Sequence, residues 1–154
     1  MKPNYLLIPL VTIIAALSGS WITSAGMLWY HKIHLPGWTP AGSLIGIVWT
    51  ILFILATISA LLVYNLIPKG KKRRQIMYAF LINAILNAGW SALFFGWHLV
   101  GWAIIEAAIL ALSVLALIIL TWPRSKAAAV MLMPYLAWVC FATYLTYSVW
   151  SLNR

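Results

Sequence analysis

Few groups in this sequence are equipped for chemistry. Glu106 is the only acid, set against ten Lys and Arg. Asn83 and Asn87 stand four residues apart, a spacing that puts both amides on one face of a helix. Ten tryptophans supply large flat rings, which suit a flat aromatic guest by stacking. The three histidines are His31, His34 and His98. A histidine can ligate haem iron, but a lone histidine in a connecting loop reads as solvated. With no second acid and no thiol near them, no metal site is expected. The sequence has neither a Gly-rich phosphate loop nor a nucleophile elbow, so hydrolysis by ordinary acid–base groups is not expected. Cys140 is the single cysteine and says nothing about redox compartment.

The elements that must position these groups follow from composition. Hydrophobic residues make up 65% of the 154 residues and charged residues only 7%. Soluble domains carry about a quarter charged residues. A disordered chain, a disulfide-stapled module and an ordinary soluble enzyme are therefore excluded. Five apolar stretches, about 5–28, 43–66, 75–97, 102–122 and 127–150, reach the roughly 20 residues needed to cross a bilayer. Lipid offers no partners to backbone amides, so such spans are helical, and the runs lack the alternation of barrel strands. The expected fold is an all-α membrane protein, a five-transmembrane-helix bundle forming a single domain over 1–154. The first apolar run outlasts a signal peptide and reads as a retained span.

The charges sort by side. Lys2, Lys69, Lys71, Lys72, Arg73, Arg74, Arg124 and Lys126 share one face, and Lys32 and Arg154 the other. By the positive-inside bias the N-terminus is cytoplasmic and the C-terminus outside. The net charge of +9 then records topology. Nucleic acid is not expected as a partner, because no solvated domain displays the basic residues. Contact of the basic second loop with anionic headgroups follows from topology, with no specific lipid implied.

Depth separates the tryptophans. Trp29, Trp97, Trp102, Trp122 and Trp150 fall at span ends, as an interfacial belt would. Trp49, Trp90 and Trp138 lie about 9, 10 and 18 Å in from the outer end, at 1.5 Å per residue. Asn83, Asn87, Glu106, Thr143, Tyr144, Thr146 and Tyr147 gather in the same outer half. One cavity there, roofed by the long first loop (about 29–42), would give many of these groups partners. For Asn83 and Asn87, interhelical glue and a ligand-facing role stand open together. Glu106 is expected to bond to Tyr, Trp or Ser on a neighbouring helix, and Trp49 and Trp138 to line a pocket. Ala84, Ala88 and Ala92 form a small-xxx-small row suited to a dimer interface, with Ala15, Gly19 and Thr23 as a weaker alternative. Pro134 is expected to kink the fifth helix.

Three motifs carry a family resemblance. The first is Leu35-Pro36-Gly37-Trp38-Thr39-Pro40-Ala41-Gly42 with Val48-Trp49-Thr50-Ile51-Leu52. The second is Asn83, Asn87, Trp90-Ser91 and Phe94-Phe95. The third is Pro134-Tyr135-Leu136-Ala137-Trp138 with Phe141-Ala142-Thr143-Tyr144-Leu145 and Tyr147. In this order, over essentially the whole chain, the sequence resembles the tryptophan-rich sensory protein (TspO) / translocator protein family, which includes the peripheral benzodiazepine receptor. Departures are Ala41, where a second Pro is usual, and Thr146, where Asn is frequent. The C-terminal sterol pattern also fails, since six residues separate Tyr147 from Arg154.

The resemblance implies a homodimer with a ligand pocket near the first loop. It implies binding of porphyrins, notably protoporphyrin IX, and of isoquinoline carboxamide and benzodiazepine drugs. Carried over by position, the pocket residues are Tyr30, Pro40, Ile45, Trp49, Phe53, Asn87, Trp90, Trp138, Ala142 and Leu145. No obligatory cofactor is expected; protoporphyrin IX or haem would be a ligand, and membrane lipid a partner. The expected function is tetrapyrrole binding with a sensing, transport or stress-regulatory role. One alternative is light- and oxygen-dependent porphyrin degradation, with Trp49 and Trp138 as catalytic residues. Another is a small proton-coupled exporter centred on Glu106. The short N-terminus suits a bacterial plasma membrane, with the outer mitochondrial membrane the eukaryotic counterpart.

Overall fold

The computed structural model describes residues 3–154. Five helices run up and down: α1 (Asn4–Tyr30), α2 (Gly42–Leu66), α3 (Lys71–Ser91), α4 (Val100–Thr121) and α5 (Lys126–Leu152). A π-helical turn, Ala92–Gly96, extends α3. Counting Lys71–Gly96 as one, all five helices are long and apolar enough to span a bilayer, and the described residues contain no strand. Leu17, Trp21, Leu28, Ile85 and Ile119 are each more than half exposed. A bundle that is apolar outside as well as inside faces lipid, and the chain is an integral membrane protein.

The helix limits expected from the sequence hold to within a few residues, with one correction. α3 begins at Lys71, so Lys71 to Arg74 form its first turn instead of a loop. Pro68 and Gly70 end the preceding helix and leave room for an early start. Cations at a helix N-terminus oppose its dipole, but Arg73 is put to use elsewhere. Its Nη1 donates to the carbonyls of Tyr64 at 3.1 Å and Ile67 at 3.4 Å, and its guanidinium sits 4.5 Å from the Tyr64 ring centroid. It thereby caps the last turn of α2, whose carbonyls have no helical partner. At the other end of α3 the turn into α4 passes through His98 at φ 57°, and the His98 ring stacks on Trp29 with centroids 4.2 Å apart.

Side-chain bonds fix the helix order. Asn4 Nδ2 donates to Asn65 Oδ1 at 3.3 Å and Thr57 Oγ1 to Thr12 Oγ1 at 3.0 Å, joining the start of α1 to the end of α2. Ser59 Oγ donates to the Ala128 carbonyl at 2.8 Å, joining α2 to the start of α5. One end of the bundle therefore gathers Lys69, Lys71, Lys72, Arg73, Arg74, Arg124 and Lys126. Lys32 and Arg154 lie at the opposite end, and Lys2 lies outside the described residues.

Packing differs between the two halves. Toward the basic end, Val63, Val114, Leu117, Ala128, Ala129 and Leu132 are almost wholly buried, and they form one continuous core among α2, α4 and α5. Toward the other end a smaller cluster holds Phe94, Phe95, Ala103 and Val149. α1 closes onto this end through glycine. A Cβ on Gly26 would sit 2.5 Å from the Phe95 carbonyl oxygen, and one on Gly19 3.3 Å from Ser91 Oγ. Ala15 and Gly19 are buried inside the chain, and Gly19 faces Ser91 of α3.

Candidate functional site

A cavity of about 740 Å³ opens in the half away from the basic end, among α1, α2, α3 with its π turn, and α5. Its position follows from side-chain size. Ala16, Gly19, Ser20 and Thr23 line it from α1, at the i, i+3, i+4, i+7 spacing of one helix face. Gly42, Gly46 and Thr50 line it from α2, one turn apart. These small faces set the helices around a hollow that Leu and Val fill in the other half. Leu17, Ile47 and Ile51 line the cavity and are also exposed on the outside, so it opens sideways between α1 and α2.

The remaining wall is aromatic. Trp90 stacks on Phe94 with centroids 5.2 Å apart and 16° between planes; Phe95 meets Trp90 edge-on at 5.9 Å. Trp138 leans on Phe141 at 5.2 Å. Trp49 lies 5.7 Å from Phe53 and meets Tyr135 edge-on at 6.0 Å. The π turn supplies two neighbouring side chains, Phe94 and Phe95, and both are buried against the site. The Trp97 N–H donates to the Ala92 carbonyl at 2.8 Å, five residues back. Such wide turns recur at functional sites.

Polar groups are sparse and divide by role. Asn87 Nδ2 donates to Tyr135 Oη at 3.0 Å, and Asn87 also lines the cavity. Asn83 Nδ2 donates to Ser113 Oγ at 2.8 Å, and that hydroxyl donates to the Leu110 carbonyl at 2.7 Å. Asn83 is thus interhelical glue between α3 and α4, whereas Asn87 bonds to Tyr135 of α5 and lines the cavity as well. Two residues of the wall, Trp90 and Trp138, hold indole Nε1 atoms that are buried and find no hydrogen-bond acceptor among the described residues. A buried N–H without an acceptor is costly, and tryptophan N–H groups usually find one.

The first loop roofs this end. Trp38 stacks on Tyr144 with centroids 5.5 Å apart and meets Phe141 edge-on at 5.9 Å. Asn153 ties the loop to the end of α5. Its Oδ1 accepts from the His34 N–H at 2.9 Å, and its Nδ2 donates to the His34 carbonyl at 2.8 Å.

The cavity brings together Tyr30, Ile45, Trp49, Phe53, Asn87, Trp90, Trp138, Ala142 and Leu145. Pro40, the tenth pocket position expected, lies in the loop just before α2 and outside the wall. Ala84, Ala88 and Ala92 are half-buried along α3. Glu106 is buried on α4 behind Gly89, away from the cavity wall. Its expected bond to a neighbour is not made, as neither carboxylate oxygen has a hydrogen-bond partner among the described residues. The exporter reading therefore finds its acid outside the cavity. Sequence reasoning missed the α1 wall. The signal lies in the 16, 19, 20, 23 spacing of small residues, which overlaps the row at 15, 19 and 23 that serves equally as a weaker candidate for a dimer contact.

Comparison with known proteins agrees with this architecture. A family model described as the TspO/MBR family matches residues 6–151. The chain is 34% identical over 126 residues to "Uncharacterized membrane protein YtaB" of Bacillus subtilis, covering 81% of this chain and 80% of that protein. It is 32% identical over 125 residues to "Tryptophan-rich protein TspO" of Bacillus cereus, with 81% and 80% covered. It is 28% identical over 130 residues to the human "Translocator protein", with 84% and 77% covered.

Proposed function

The chain belongs to the TspO/MBR family, and from that premise we propose that it binds a flat hydrophobic tetrapyrrole, protoporphyrin IX or haem, in the cavity among α1, α2, α3 and α5. The observation that carries this reading is the aromatic wall, in which Trp49, Trp90 and Trp138 line one cavity together with Phe53, Phe94 and Phe141. A guest with a flat π surface would stack on these rings. The volume of about 740 Å³ falls within the roughly 300–1,000 Å³ of small-molecule sites. Isoquinoline carboxamide and benzodiazepine ligands, which carry aromatic rings, suit the same wall. The role is sensing, transport or stress regulation in a bacterial plasma membrane, with the basic end cytoplasmic. A homodimer packs through Ala84, Ala88 and Ala92.

The test is a titration of the detergent-solubilised protein with protoporphyrin IX in darkness, following tryptophan quenching and the Soret band. Saturable binding is expected. Trp138→Ala removes a stacking ring, worth about 0.5–1.5 kcal/mol beyond its area burial, so affinity should fall by roughly tenfold. Absence of saturable binding by the wild type would overturn the reading.

A second reading rests on Trp49 and Trp138 lining one cavity, where both rings would touch a bound porphyrin. In this reading the porphyrin supplies the photochemistry and the protein supplies orientation and oxidisable indoles. Illumination in oxygen would then destroy the Soret band, and Trp49→Phe or Trp138→Phe would abolish the loss. Equal loss from free porphyrin would count against it.

A further inference from the structure

A second concavity, of about 470 Å³, lies at the basic end where the α2–α3 and α4–α5 connections meet. Its lining is divided. Leu66, Ile67 and Pro68 form an apolar side, and three cations face it, Lys71 and Lys72 from the first turn of α3 and Arg124 from the α4–α5 connection. Arg73, in the middle of the same run, is already engaged with the Tyr64 and Ile67 carbonyls and does not line the concavity. The three lining cations have no carboxylate to pair with. The only acid, Glu106, is buried on α4, 15 residues before Thr121 at the helix end and so about 20 Å away along the axis.

Charge balance at this concavity must come from outside the chain. The connections join the ends of membrane-spanning helices, which places the concavity at headgroup depth. There the abundant anion is a phospholipid phosphodiester, and basic pockets at helix ends are suited to such headgroups. The apolar side decides between a lipid and a soluble anion. Leu66 is 61% exposed beside the cations, offering contact to a glycerol backbone and the first acyl methylenes, whereas a free phosphate has nothing to place there. We propose that this concavity is a binding site for one anionic phospholipid, its phosphate held by Lys71, Lys72 and Arg124 and its glycerol backbone against Leu66, Ile67 and Pro68.

The test uses the full chain in a non-ionic detergent at physiological salt, which screens diffuse charge effects beyond about 8 Å. Dioleoyl phosphatidylglycerol is titrated and followed by native mass spectrometry, with dioleoyl phosphatidylcholine and inorganic phosphate as separate arms. Two variants remove the same charge: Lys71→Gln/Lys72→Gln/Arg124→Gln inside the concavity, and Lys69→Gln/Arg74→Gln/Lys126→Gln outside it. The expected result is a one-to-one phosphatidylglycerol adduct on the wild type, preferred over phosphatidylcholine and not displaced by millimolar phosphate. The inner triple variant loses three charge-assisted contacts to the phosphate and should bind about a hundredfold more weakly or worse. The outer variant should change by less than about fivefold. The proposal is overturned if phosphatidylcholine binds as well, if phosphate displaces the lipid, or if both variants lose affinity equally. The wild-type lipid comparison decides on its own should a variant fail to keep its helical circular dichroism.

Discussion

The bond between Asn87 and Tyr135 is the part of the site whose energetics can be worked most directly. Asn87 is 7% exposed and Tyr135 3%, and the amide donates to the phenol at 3.0 Å. Asn87→Leu leaves the buried phenol unsatisfied, which costs about 1–3 kcal/mol. Polar pairs between membrane helices average only ~0.6 kcal/mol and reach ~1.7. Near-complete burial puts this pair in the upper part of that range. Asn87→Leu should therefore destabilise by about 1.5 kcal/mol and Tyr135→Phe by about 1 kcal/mol. In the double variant both partners are apolar and no buried group is stranded, so the loss should fall short of the sum by about 1 kcal/mol. The assay is reversible unfolding in mixed dodecyl maltoside and dodecyl sulfate micelles, following helicity, for the four proteins of the cycle. Additivity within about 0.3 kcal/mol would refute the argument, because it would mean that the two groups do not interact. Tyr135→Phe keeps the ring that Trp49 meets edge-on, so porphyrin affinity in that variant should stay within about twofold, below half a kcal/mol.

Two further outcomes follow from the packing. Gly26→Ala places a methyl 2.5 Å from the Phe95 carbonyl oxygen, and relief of that overlap should cost about 1–3 kcal/mol in the same unfolding assay. Gly46→Ala meets nothing within 4 Å and should be neutral or stabilising by up to about 1 kcal/mol; a reversed order of the two would contradict the α1–π turn contact. Asn153→Ala removes both bonds to His34, so trypsin should cut faster after Lys32, with the unfolding midpoint little changed. Unaltered cleavage would show that Trp38 stacking alone holds the loop.

The number, length and order of the spans were legible in the chain, because a run of apolar residues long enough to cross lipid has one stable backbone solution. The aromatic wall was legible for a similar reason: Trp49, Trp90 and Trp138 lie too deep for an interfacial belt, and the family motifs fall on the same positions. The start of α3 was misplaced because charge suggested a loop, whereas a helix can begin with cations when one of them, Arg73, caps the helix before it.

Other features were decided only by tertiary packing. Asn83 and Asn87 are equivalent by spacing; the different neighbours they meet, Ser113 and Tyr135, set them apart. The isolation of Glu106 depends likewise on which residues α3 and α5 present to it. The π turn arises in a segment whose local sequence would also suit an α-helix, and the α1 wall consists of small residues that serve equally for close packing or for leaving space. Hydrophobicity and period are properties of one segment and can be read along the chain. Whether a small face touches its neighbour or stands back from it depends on the side chains of another helix, and that relation exists only once the bundle has formed.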